Sequence, residues 1–109
     1  MQSDSGRYIG DADSADVGSV LTELFAVIER RKAEMPAGSY TTELLGGPKD
    51  KLLKKIAEES GEVIIASCAG DADQLRHEAA DLIYHLLVVV AREGLTLDDL
   101  AEELAARMR

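Results

Sequence analysis

Two runs of helical apolar periodicity, about Pro48 to Ala69 and Ala72 to Glu93, are separated only by Gly70 and Asp71. So short a gap predicts an antiparallel αα-hairpin with its apex at Gly70. Glycine is a good C-terminal stop because it takes up the left-handed conformation without steric cost. Asp71 is a good N-cap for the second arm, with Gln74 three residues on to complete a box-like cap. Pro48 suits the first helical position of the first arm, on which Leu52, Leu53, Ile56, Val63, Ile64 and Ser67 share a face.

The remaining chain reads as helix too. Val17, Val20, Leu21, Leu24, Phe25 and Ile28 recur at helical spacing, and Pro36 with Gly38 closes that helix near Met35. Ser39 to Leu45 is a short turn-plus-helix candidate, ended by Gly46, Gly47 and Pro48. A last helix starts after the cap Thr96, with Asp98 and Asp99 complementing its dipole and Leu97, Leu100, Leu104 and Met108 beneath. Val88 to Val90 is β-branched but lies inside a run too long and too well capped for a strand. The fold class is therefore all-α. The second arm of the hairpin is apolar nearly all round from Leu86 to Ala91, so one neighbour cannot cover it. Pairing with a second copy supplies the missing cover, which predicts a four-helix-bundle type of core completed by homodimerisation. Residues 1 to 16 hold three Ser, four Asp and two Gly without apolar periodicity and read as a polar tail, leaving 17–109 as one domain.

Composition narrows the partners. One Phe, three Tyr and no Trp make the core aliphatic and leave little for base stacking. A net charge of −9 repels nucleic-acid phosphates, so no nucleic-acid partner is expected, and a polyanionic substrate needs a metal ion. A single Cys68 makes neither an intramolecular disulfide nor a cysteine zinc site, which fits a reducing cytoplasm. The first sixteen residues lack the basic and apolar regions of a signal peptide. No apolar stretch reaches the roughly 18 to 20 residues of a membrane span, so no membrane partner is expected.

The chemistry concentrates in Glu58-Glu59-Ser60-Gly61-Glu62 and Glu78-Ala79-Ala80-Asp81. Acids at i and i+3 put Glu59 and Glu62 on one side of their helix, and Glu78 and Asp81 on one side of theirs. Glu62 lies eight residues before Gly70 and Glu78 eight after; Glu59 lies eleven before and Asp81 eleven after. The pairs are thus level, facing each other roughly 12 to 16 Å from the turn at about 1.5 Å rise per residue. All four project on a flank beside the apolar stripe. Such carboxylates repel one another unless protons or a cation neutralise them, and their oxygens suit Mg²⁺ or Mn²⁺ better than zinc. A di-iron bundle would want Glu-x-x-His on each of two helices, which the sequence lacks.

Lys51 and Lys55 project on the same flank as the acids, with Lys54 beside them, a basic patch suited to a polyphosphate bound through metal and ammonium groups together. The plainer reading is helix-surface pairing, such as Lys55 with Glu59. His85 stands one turn beyond Asp81, either touching substrate, orienting a carboxylate or simply packed; His77 is expected at the surface.

The E-E-x-x-E element followed by E-x-x-D resembles the all-α NTP pyrophosphohydrolases of the MazG type. Ser39-Tyr40-Thr41, Lys51 to Glu59, and Glu78 through Tyr84-His85-Leu86-Leu87-Val88 are similar to one branch, the phosphoribosyl-ATP pyrophosphatase family, over about Leu21 to Arg107. Ser60-Gly61 departs from the better helix formers expected there, at about 1 kcal/mol for the glycine. The resemblance implies hydrolysis of 1-(5-phosphoribosyl)-ATP between its α and β phosphates, the second step of histidine biosynthesis. It further implies that Glu59, Glu62, Glu78 and Asp81 hold Mg²⁺ and that Lys51 and Lys55 bind phosphate. Catalysis would fall to Glu58, Glu59 and Glu62, with Glu58 a supporting residue or water-orienting base. Ser39, Tyr40 and Thr41 would approach substrate from the preceding loop, unless Tyr40 is a plug over the helix junction. Two rivals remain: a house-cleaning pyrophosphohydrolase for dUTP or another noncanonical NTP, and a helical dimerisation module whose acids serve solubility alone.

Overall fold

Asp16 opens the first helix of the computed structural model, which describes residues 16–109; its carboxylate accepts a hydrogen bond from the Ser19 amide at 2.9 Å. Helix α1 (Val17–Glu34) ends where Met35 turns left-handed at φ 47° ahead of Pro36. Helix α2 (Tyr40–Gly46) starts at the N-cap Ser39, whose hydroxyl accepts from the Thr42 amide at 3.2 Å. Helix α3 (Lys49–Ala69) and helix α4 (Ala72–Arg92) form the hairpin, with Gly70 at φ 69° as its apex. Helix α5 (Leu97–Arg107) carries a complete capping box between Thr96 and Asp99. No strand occurs among the described residues. The polar segment read as a tail lies outside them except for Asp16, which belongs to the α1 cap.

Two local expectations need correction. Pro48 is the N-cap of α3 rather than its first helical residue; its ψ of 131° is extended. The Asp71–Gln74 cap is only half a box. Asp71 accepts from the Gln74 amide, but the Gln74 side chain is committed to Glu78 instead.

The core is built from Phe25 and Ile28 of α1, Leu44 and Leu45 of α2, Leu52 of α3, and Tyr84, Leu87, Val88 and Ala91 of α4. Helix α3 packs most extensively on α4, α1 covers another side of α4, and α2 closes one end against all three. Cation side chains tie the ends together: Lys32 Nζ donates to the Ala91 carbonyl and Arg92 to the Leu44 carbonyl, both at 2.7 Å.

The face α3 turns inward differs from the one expected. Leu52, Glu59 and Ala66 are buried, whereas Leu53 and Ile64 are exposed, together with Ile65. The seam advances by seven residues, two helical turns, and so runs through Glu59 and not along the most apolar stripe. A carboxylate thus lies within the hairpin seam. Helix α5 meets expectation only in its first turn: Leu97 and Leu100 lie half-buried against the core, whereas Leu104 and Met108 are exposed.

Candidate active site

The hairpin brings the acidic residues together. Glu58, Glu59 and Glu62 from α3 and Glu78 and Asp81 from α4 line one cavity of about 590 Å³, with Lys55 and Gln74 beside them. Glu59, Glu78 and Asp81 are each more than nine-tenths buried, while Glu58 and Glu62 are exposed at the rim. Glu58, read as a supporting residue or water-orienting base, shares the cavity and lies 3.8 Å from the Lys55 ammonium, which takes this i,i+3 partner in place of an i,i+4 pair with Glu59. Lys51 is exposed and does not line the cavity.

Gln74 is a site residue the sequence reading missed. Its Nε2 donates to Glu78 Oε2 at 2.9 Å, fixing one oxygen of a buried carboxylate. The available signal was its i,i+4 offset from Glu78, outweighed by its capping position.

The Ser39–Thr41 stretch and His85 form a framework beside the site. The Asp81 carbonyl accepts from His85 Nδ1 at 2.7 Å, which fixes the tautomer and leaves Nε2 to accept from the Tyr40 hydroxyl at 2.9 Å. Thr41 Oγ1 pairs with the Tyr84 hydroxyl, and the His85 ring meets both tyrosine rings edge-on. His85 and Thr41 are fully buried with these polar atoms engaged, and through them α2 is braced against α4 beside the acidic cavity. Ser39 spends its hydroxyl oxygen on the α2 cap, and Tyr40 stays half-buried over the junction.

His77, expected at the surface, is partly buried, with Nε2 3.7 Å from Asp81 Oδ2.

Burial, above all, pushes the Glu59 carboxyl up to about 7; a hydrogen bond with Glu78 and the negative charges of Asp81 and Glu78 act in the same direction, against Lys55. The apo site is therefore electrostatically frustrated, and an all-oxygen set of this kind fits a hard divalent cation. The linkage has a definite sign. With the folded value raised above the ordinary 4.5, Glu59's contribution to stability is full below about pH 4.5 and is lost as pH rises through about 7. A cation held by these carboxylates would take the proton's place. The rise in melting temperature on adding Mg²⁺ is therefore expected to be several degrees larger at about pH 8 than at about pH 5.5, measured by thermal denaturation against EDTA controls. An equal rise at both pH values would contradict this site.

Comparison with known proteins agrees with this geometry. Residues 21–108 match the family model described as phosphoribosyl-ATP pyrophosphohydrolase. The phosphoribosyl-ATP pyrophosphatase of Haloarcula marismortui is 47% identical over 96 residues, covering 86% of this chain and 98% of that protein. That of Metallosphaera sedula is 46% identical over 90 residues, covering 83% of this chain and 97% of the relative. The histidine biosynthesis bifunctional protein HisIE of Bacillus subtilis is 47% identical over 97 residues, 89% of this chain, but the chain spans only 46% of that longer protein.

Proposed function

This chain belongs to the phosphoribosyl-ATP pyrophosphohydrolase family, and we propose that it hydrolyses 1-(5-phosphoribosyl)-ATP to 1-(5-phosphoribosyl)-AMP and pyrophosphate, the second step of histidine biosynthesis. The observation that carries this reading is the convergence of carboxylates from α3 and α4 on one cavity, three of them buried in the hairpin seam. Glu59, Glu62, Glu78 and Asp81 would hold Mg²⁺ or Mn²⁺. When bound, that cation supplies neutralisation of phosphate oxygens during in-line attack by water.

The chain's own residues divide the remaining work. Gln74 holds Glu78 in place from one turn earlier on α4. Lys55 at the rim offers a point charge to a phosphate oxygen, with Lys51 one turn further out. Glu58 and Glu62 are the acids that solvent reaches, so a carboxylate at that rim takes the proton from the attacking water. The water oxygen bonds to one phosphorus of the α–β anhydride as its bridging P–O bond breaks, and the other phosphate group leaves with the electron pair. Tyr40, half-buried at the edge of the α2 framework, is the member of the Ser39–Thr41 stretch we place against substrate; Ser39 supports it as the cap.

Homodimerisation is part of the proposal, supported by apolar side chains of α4 and α5 that a single chain leaves uncovered. No helix among the described residues is long and apolar enough to cross a membrane.

The assay is pyrophosphate release by the purified protein with Mg²⁺. Phosphoribosyl-ATP is expected to give a kcat/KM at least about a hundredfold above dUTP, ITP or ATP, the discrimination of about 2.7 kcal/mol that a few ribose and phosphate contacts supply. Preference for dUTP or ITP would move the assignment to a house-cleaning enzyme; no release from any of them would favour a non-catalytic module.

A further inference from the structure

We propose that His77 is a positioning residue for the acidic site: its Nε2, facing Asp81 Oδ2 at 3.7 Å, restrains that oxygen and so directs the other carboxylate oxygen into the cavity. Asp81 stands between two histidines, one a turn before it and one a turn after. His85 already fastens its backbone, through the carbonyl oxygen. His77 Nε2 is the atom aimed at its side chain, 3.7 Å from Oδ2.

Two features separate this from an ordinary helix-surface pair. Nε2 has been taken out of solvent and has no hydrogen-bond partner, an arrangement that in folded proteins calls for a reason. Its target is a carboxylate with only 7% of its side chain exposed, flanked by Glu78 and Glu59. The separation is too long for a hydrogen bond but within ion-pair reach. Donor groups of His77, Glu78 and Asp81 all lie within 4.8 Å of one another, so the ring is near enough to respond to whatever the carboxylates bind. His77 does not line the cavity itself, which is why we assign it to Asp81 and not to the bound group. Partners of this kind, hydrogen-bonded behind a ligating side chain, typically govern affinity by about ten- to a hundredfold when removed.

The inference rests on Asp81 being a cation ligand, so the experiment carries Asp81→Asn as its reference. Mg²⁺ and Mn²⁺ binding to the substrate-free protein is measured by titration calorimetry for wild type, His77→Leu, His77→Gln and Asp81→Asn. His77→Leu is expected to weaken both cations alike by about tenfold or more. His77→Gln, which keeps an N–H donor on a side chain of similar reach, recovers most of that loss. The cation-free melting temperature of both variants stays close to wild type.

Several results would overturn the proposal. One is unchanged affinity in His77→Leu while Asp81→Asn loses binding. Another is weakening of Mn²⁺ without Mg²⁺, which makes His77 a direct ligand. A third is a fall in cation-free stability that accounts for the whole affinity change, which makes it a structural residue. Should Asp81→Asn itself bind normally, the cation-site reading fails first and separately.

Discussion

Turnover in Glu59→Gln, Glu78→Gln and Asp81→Asn is expected to fall by about a thousandfold or more, while all three variants fold. The size follows from the part proposed for these groups: charge stabilisation by a carboxylate-held cation would be worth several kcal/mol, and each 1.36 kcal/mol is about tenfold in rate. The stability result is the more discriminating half. Glu59 is the buried member whose carboxyl is pushed up to about 7. At higher pH its charge is carried against burial and against two neighbouring acids, and Gln keeps the shape without the charge. Glu59→Gln should therefore raise the melting temperature of the EDTA-treated protein at about pH 8 by several degrees, the equivalent of about 1 kcal/mol in a chain of this size. Glu62→Gln should impair turnover with no such gain, because Glu62 sits exposed at the rim where its charge is solvated. Stopped assays and thermal scans on the same preparations separate the two effects. Loss of the folded state in all the buried variants would mean that these acids are structural.

The same contrast between buried and exposed carboxylates shows what could be read from the sequence. The hairpin and the level of its acids were legible because they depend only on counting outward from Gly70, whose left-handed backbone fixes the origin of the count. Rotation about the α3 axis was not. Leu52 and Leu53 are equally apolar, as are Val63 and Ile64, and nothing local decides which of each pair meets α4. Tertiary packing chose the seam through Leu52, Glu59 and Ala66, and a carboxylate became a core position because the facing helix offers Glu78 and Asp81 at the same height. The histidines fell to a related difficulty. His77 and His85 lie one turn either side of Asp81, so spacing alone gives them the same claim on it; only the Tyr40 hydroxyl on Nε2 and the two tyrosine rings meeting His85 edge-on assign that ring to the framework. Ser39 shows the opposite case. A serine ahead of a helix and three residues before Thr42 has a local use as a cap, and that use was outweighed by its place in a recognisable stretch.

On the proposed homodimer, Leu86→Glu and Leu104→Glu together are expected to separate the pair into single chains without disturbing their helices. Helices α1, α4 and α5 leave an apolar groove of about 460 Å³, lined among others by Leu21, Ile83, Leu86, Leu100 and Leu104. Leu86 is 43% exposed and Leu104 61%, so a glutamate at either position points into water in the lone chain and costs its fold little. Against a second copy the same carboxylates would be buried opposite leucines and isoleucines, at several kcal/mol each, enough to weaken association more than about a hundredfold. Apolar exposure on this scale along one groove marks a surface that functions covered. The bland reading, a groove left open in a monomeric enzyme, predicts that wild type sediments as a single chain at all concentrations. A third outcome is informative too. If wild type is a dimer and the double glutamate variant remains one, the interface lies on the other uncovered face, where α3 exposes Leu53, Ile64 and Ile65 around a Gly61 whose missing side chain has open space before it. Gly61 would then be explained as the point where a partner backbone approaches, since a mid-helix glycine otherwise costs stability for nothing. Sedimentation of wild type, the double glutamate variant and Ile64→Glu distinguishes the three, with circular dichroism to show that helix content is retained.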